Sequence, residues 1–322
     1  MTLRTAFQLL SPAGSHARLS ILIFHRVLPR VDPLFPNEMH AERFDAVCRW
    51  LASWFNVLPL DQAARRLIEG SLPARAACIT FDDGYADNYQ VAMPILQRHG
   101  LTSTFFIATG FLDGGRMWND SIIESVRRCS KSVLDLESLE LGLGKVDLGS
   151  IVGRQAAVSA LIDQVKYRPV PDRLAIVDRL ARLSGVQLPD DLMMTSAEVR
   201  ALHQCGMQVG AHTVSHPILA KTPDLDAEHE IKAGKATLEA LLQQPVSLFA
   251  YPNGKPGADY LPRHVELVQQ AGFSAAVTTA PGVSTTGVDH LQIPRFSPWD
   301  AKRFRFGLRL LSNLRNTSPK TV

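Results

Sequence analysis

Residues 76–108 constrain the fold more than any other stretch. Ala76–Thr80 is a short apolar run that stops at Phe81-Asp82-Asp83-Gly84-Tyr85. A helical pattern follows from about Asn88 to His99. It ends on Gly100, a residue suited to the left-handed backbone that closes a helix. Thr102–Ala108, rich in β-branched and aromatic residues, then reads as a second strand. Strands joined through a helix pair in parallel, so this stretch predicts a parallel α/β sheet or barrel.

The alternation continues along the chain. Leu19–Phe24 reads as a strand, and Ala41–Trp54 as a helix with Phe44, Val47, Cys48 and Leu51 on one stripe. Asp61 is placed to cap a helix that ends at Gly70. Thr195-Ser196-Ala197-Glu198 has capping-box spacing and opens a helix that ends at Gly206. Met207–Ala211, Val246–Ala250, Phe273–Thr278 and a final Leu291–Ile293 read as strands. Helices over Asp226–Leu242 and Arg263–Ala271 separate the later ones. Residues 119–195 differ: helical patterns such as Gln155–Val165 and Asp172–Leu183 appear, with no strong strand. The predicted architecture is a distorted (β/α) barrel of about seven parallel strands with a helical insertion. One domain would span 1–322, its core at about 18–118 and 196–300, its insertion at 119–195 and a basic C-terminal helix or tail at 301–322.

Composition narrows the classes of partner. With 34 basic against 31 acidic residues and a net charge of +3, the chain as a whole lacks the charge of a nucleic-acid binder. Hydrophobic residues at 46% suit a water-soluble globular chain of 322 residues, which needs no disulfide scaffold. Cys48, Cys78, Cys129 and Cys205 show no CxxC spacing and read as small buried hydrophobes. No apolar run approaches the roughly 18–20 residues of a membrane span. The early apolar stretch breaks at Ser11-Pro12-Ala13-Gly14, so no secretory leader is expected and a cytoplasmic location is. Lys302–Arg315 mixes Lys302, Arg303, Arg305, Arg309 and Arg315 with Phe304, Phe306 and leucines. It reads either as a docked helix with solvated charges or as a peripheral contact with the inner membrane surface.

The polar residues cluster where strands end. His25 follows the first strand, Asp82-Asp83 the second, His212 the strand Met207–Ala211, and Tyr251-Pro252-Asn253-Gly254 the strand Val246–Ala250. In parallel α/β folds the carboxyl ends of the strands share one face, where active sites form. Asp82 and Asp83 should point in different directions, so one can bind a metal while the other accepts a proton; an Asx-turn is the plainer reading of Asp-Gly. His212 and His216 are four apart, which puts both imidazoles on one side of a helical turn or tight loop. One Asp and two His would leave coordination positions open, as a catalytic site does.

Thr80-Phe81-Asp82-Asp83-Gly84-Tyr85 and His212-Thr213-Val214-Ser215-His216-Pro217 resemble the first two motifs of the polysaccharide deacetylases, the NodB-homology or carbohydrate esterase family 4 group. Ile23-Phe24-His25-Arg26-Val27 and Phe249-Ala250-Tyr251-Pro252-Asn253-Gly254 are most similar to the branch acting on poly-N-acetylglucosamine. The resemblance implies a NodB-like barrel. It also implies that Asp83, His212 and His216 hold a divalent metal, commonly zinc, with cobalt or nickel as alternatives. Asp82 would be the general base, and the N–H of Asn253 would meet the oxyanion, with Tyr251 beside it. The implied reaction removes N-acetyl groups from an amino-sugar glycan and releases acetate.

The chain departs from the family pattern in three places. The usual Arg-x-Pro-Tyr is Ala250-Tyr251-Pro252-Asn253 here, and Arg295 of Ile293-Pro294-Arg295 is the candidate to steady the base in its place. The late Leu-x-His motif is not evident, which leaves His25 as the preferred general acid. The insertion has no counterpart in the compact family core, and Trp118 before it could line a sugar subsite or pack in a core. The missing Arg and His also leave open a non-catalytic glycan-binding protein, and the family resemblance does not exclude an O-acetyl esterase.

Overall fold

The structure is a computed structural model and describes residues 2–297 and 299–322. The chain divides into two units. One comprises residues 1–30, 39–112 and 194–322, the other 31–38 and 113–193.

In the first unit, helix α1 (Leu3–Leu10) precedes strand β1 (Ser20–Phe24) and helix α2 (Ala41–Trp54). A two-residue strand β2 (Asn56–Val57), helix α3 (Leu60–Ile68) and strand β3 (Ala76–Phe81) follow. The next helix begins as a wide π turn over Asn88–Ala92 and becomes regular only as α4 (Met93–Arg98). Pro94 lacks the N–H that a regular ladder would use, which accounts for the altered register near it. Strand β4 (Thr104–Ile107) completes the predicted strand–helix–strand.

The second unit holds helix α5 (Trp118–Arg128), an antiparallel pair β5 (Val133–Asp135) and β6 (Lys145–Asp147), and helices α6 (Ile151–Val165) and α7 (Val170–Ser184). That pair corrects the expectation of no strand in 119–195. Its strands are three residues long and mostly exposed, too short to show a period in the sequence. The helices close over their own apolar core, which includes Ile122, Leu134, Leu161 and Leu180. Arg154 donates to the carbonyls of Arg127 at 3.1 Å and Cys129 at 2.8 Å, satisfying the open C-terminus of α5.

The first unit resumes with α8 (Ser196–Gln204), whose capping box on Thr195 and Glu198 is formed. Strand β7 (Gln208–Ala211), helix α9 (Asp224–Leu242), strand β8 (Leu248–Ala250), helix α10 (Pro262–Gln270), strand β9 (Ala275–Val277) and helix α11 (Arg303–Asn313) follow. The parallel sheet has seven strands in the order β1-β3-β4-β7-β8-β9, with β2 on the early part of β3. It is curled as a half-barrel, the NodB-like fold. The predicted last strand is reduced to bridges: Ile293 pairs with Val277 of β9, and Phe296 with Leu22 of β1. The segment between them therefore spans the two ends of the sheet order.

Strand residues alternate between two apolar cores. Ile21, Cys78, Phe106, Leu248, Ala250 and Val277 share one cluster with Leu60, Ala63 and Leu67 of α3. Leu22, Ile79, Phe81, Phe105, Ala211 and Phe249 share the other with the remaining helices. Strands buried on both faces read as continuous apolar runs, which is why the sequence showed them. Gly210 in β7 makes room inside: a Cβ there would lie 2.5 Å from the Phe106 ring. Cys48, Cys78 and Cys129 are buried, but Cys205 is exposed at the C-cap of α8, against expectation.

Candidate metal and acid–base site

Asp82 and Asp83 leave β3 at the carboxyl end of the sheet. The Asp82 N–H still donates to Phe24 O of β1 at 3.0 Å, so the ladder runs through it. Asp83 then turns into the left-handed region at φ 77°. The two carboxylates consequently face different surroundings.

Asp82 is 2% exposed and is held by Arg295, itself 1% exposed. Nη1 donates to Oδ1 at 2.6 Å and Nη2 to Oδ2 at 2.7 Å. The same guanidinium donates through Nε to Thr278 O at 2.9 Å and through Nη1 to Thr80 Oγ1 at 3.1 Å. Burial raises the Asp82 pKa, but the charges of Arg295 and His212 outweigh it and hold the carboxyl below its ordinary value. A carboxylate has about four acceptor sites, so two Arg contacts leave room for a water proton.

Asp83 Oδ1 lies 3.5 Å from His212 Nε2 and 3.4 Å from His216 Nε2. The ligand atoms of all three residues fall within 4.8 Å of one another, the spacing of a set around one ion. Asp83 Oδ1 is buried without a hydrogen-bond partner, which a cation would supply. The His212 Nδ1–H donates to Ala250 O at 2.7 Å, which leaves Nε2 as the ligating atom; against burial, the Asp82 and Asp83 carboxylates raise the His212 pKa, so a cation would bind there by displacing a proton. Although burial opposes it, the adjoining His212 holds Asp83 below its ordinary value, so it is an anion ready to ligate. Burial lowers the His216 pKa to about 4, which keeps that imidazole neutral as ligation requires. The Asp83, His212 and His216 set therefore fits a divalent cation; these donors alone do not say which.

The two histidines sit on a loop, not a helix. Thr213 at φ 66° and His216 at φ 53° are both left-handed, a cost for a β-branched residue that the surroundings must support. Thr109 N–H and Gly110 N–H donate to Thr213 O at 3.2 Å and Val214 O at 2.8 Å. On α9, Glu230 accepts from Val214 N–H at 2.9 Å, Ser215 N–H at 2.8 Å and Ser215 Oγ at 2.6 Å. One helical turn on, Gly234 lets the loop approach; a Cβ there would meet Thr213 O at 2.8 Å. Glu230 is a residue that sequence reasoning missed. Its only signal was an acidic side chain four residues before a glycine on a helix.

The remaining sequence candidates divide. His25 is exposed at the carboxyl end of β1, where its carbonyl accepts from Asn88 Nδ2 at 2.8 Å. Asn253 is left-handed at φ 58°, and its N–H meets no acceptor among the described residues. Tyr251 is not turned to the site. Its ring is fully buried, stacks on Tyr260 at 4.0 Å, and its hydroxyl donates to Leu291 O at 3.0 Å. Alternation explains this, because Ala250 ends β8 and Tyr251, the next residue, points to the opposite face. Trp118 opens α5 in the second unit, where it packs on that unit's core with Arg173 5.1 Å from its ring. Its face is thereby already occupied.

The sequence model of one family, described as "Polysaccharide deacetylase", matches residues 69–137 and 172–276. The chain is 21% identical over 286 residues to YxkH of Bacillus subtilis (strain 168), a protein named for polysaccharide deacetylation. That alignment covers 88% of this chain and 72% of YxkH. The fold is similar to that of the Streptococcus pyogenes deacetylase PplD, solved in complex with acetate. The TM-score is 0.61 at 19% identity, over 92% of this chain and 98% of the other. IcaB from Ammonifex degensii gives a TM-score of 0.59 at 18% identity, over 95% and 98%.

Proposed function

The chain belongs to the polysaccharide deacetylase family, and from that premise we propose that it is a metal-dependent hydrolase removing N-acetyl groups from an amino-sugar glycan. The observation that carries the proposal is the pairing of an Arg-held carboxylate, Asp82, with the adjoining Asp83, His212 and His216 set. A protein that only bound glycans would have no use for a buried, ionised base beside such a set.

A divalent cation held by Asp83, His212 and His216, with zinc, cobalt and nickel as candidates, supplies Lewis acidity that acidifies water and polarises an amide carbonyl. Asp82 takes the proton of the attacking water, and Arg295 keeps that carboxylate ionised and oriented. As the water oxygen bonds to the carbonyl carbon, the Asn253 N–H is free to donate to the developing oxyanion. The C–N bond then breaks, and His25 delivers a proton to the leaving nitrogen. The proton held by Asp82 and the one lost by the nascent acetic acid restore His25 and protonate the amine, so acetate and an ammonium leave and both side chains return to their starting states. PplD, a deacetylase solved with acetate, supports a site of this fold that accommodates the product.

Acetate release from N-acetylglucosamine oligomers tests the reading. Protein stripped with a chelator is reloaded with zinc or cobalt. Metal-dependent release that falls about 10²–10⁴-fold in Asp82→Asn is the expected outcome. Undiminished release in Asp82→Asn, or no metal bound at the Asp83 set, would overturn it.

A further inference from the structure

The terminal helices α1 and α11 form a surface that the chemistry above does not use. They pack together where Gly307 meets the Leu3 side chain, and Phe306 of α11 is buried against Trp50 and Trp54 of α2. Chain charge is nearly balanced, yet here it is one-sided. Residues 2–31 contain no Asp or Glu, and neither do residues 301–322. The acidic residue flanking α11, Asp300, is paired with Arg309. Arg4, Lys302, Arg303 and Arg305 are exposed and make no ion pair among the described residues.

Apolar side chains stand among these charges. Phe304 is 64% exposed and Leu308 46%, and their i,i+4 spacing puts them on one face of α11. Trp299, just before the helix, is 66% exposed, and Leu9 on α1 is 68% exposed. Where α1 and α11 begin, a cavity of about 520 Å³ is lined by Arg4, Arg303, Phe304 and Trp54 with the hydroxyl residues Thr2 and Ser53. Two guanidiniums and hydroxyls in one hollow suit a phosphate, and the aromatic and leucine side chains suit the adjoining acyl boundary. Nucleic acid would match the charge but would leave Phe304, Leu308 and Leu9 in water. Among the described residues no helix is long and apolar enough to cross a membrane.

We propose that the α1/α11 face docks the protein peripherally on an anionic lipid bilayer, with Phe304 and Leu308 entering the headgroup boundary and Arg303 and Arg305 meeting lipid phosphates. This stands independently of the hydrolytic reading. Flotation of the full chain with phosphatidylcholine vesicles, with and without phosphatidylglycerol, tests it. Binding is expected only with phosphatidylglycerol and is released by salt. The variant Arg303→Glu/Arg305→Glu should lower partitioning by at least about 25-fold, at roughly fivefold per basic side chain lost. Phe304→Ser/Leu308→Ser should weaken binding while its salt dependence persists. Unchanged thermal melts would show both variants folded. Absence of binding to either vesicle, binding undiminished in both variants, or retention on a DNA duplex in place of vesicles would each overturn the proposal.

Discussion

Asp82 and Asp83 are neighbours in the chain but opposites in environment. Asp82 is locked on both oxygens by a buried guanidinium, while Asp83 keeps a buried oxygen without a hydrogen bond between two imidazoles. Sequence could read both as chemistry-bearing, because paired carboxylates ending an apolar strand are poor core residues. It could not say that Arg295 reaches Asp82, since 213 positions separate them. Replacing Arg295 with Met should leave Asp82 as an uncompensated buried charge and cost about 3–5 kcal/mol of stability. Arg295→Lys should cost less, since it keeps the charge but loses the two-point contact. Urea unfolding would measure both. Adding Asp82→Asn to Arg295→Met should recover part of the loss, because the stranded charge is then gone. A Met variant as stable as the wild type would show that the pair does not hold the fold.

At the scale of elements, helices were legible where an apolar stripe was clear, as in Ala41–Trp54, which forms over those same residues although no side chain caps its start. Where they were misread, local cues were weak or overridden. The helix before β4 starts as a π turn near Pro94, and α1 is only eight residues long, too short for a stripe to show its period in the sequence. At the start of α10, His264 Nδ1 accepts from Leu261 N–H at 3.0 Å, and the ring is wholly buried. Burial, aided by Arg263 and opposed by Asp224, lowers the His264 pKa to about 4. Protonation would also abolish the acceptor. Between pH 6.5, the ordinary value, and about 4 the unfolded chain therefore binds more protons than the folded one. Stability should fall as pH drops through that window, by at most about 1.4 kcal/mol per pH unit from this group. His264→Asn keeps an acceptor without a titrating proton. Its urea-unfolding free energy should fall less steeply with acid than that of the wild type, and parallel slopes would refute the assignment.

For the whole molecule, ligand set and sheet are one construction. Asp83 follows β3, His212 follows β7, and the carbonyl orienting His212 belongs to Ala250 in β8. A cation bound by that set should stabilise the folded chain by mass action, by about 2.7 kcal/mol when its free concentration is a hundredfold above Kd. Thermal melts with and without zinc should show the gain, and His212→Ala should remove it; an equal gain in that variant would place the ion elsewhere. The sequence by itself determined the parallel α/β class and the residue types at strand ends, because period, caps and motif spacing are local. Only the tertiary structure decided that Arg295 grips Asp82, that Glu230 and Gly234 seat the histidine loop, and that Tyr251 turns into the core. Those outcomes depend on how the sheet curls and which faces its helices cover, and long-range packing of that kind leaves no periodic trace along the chain.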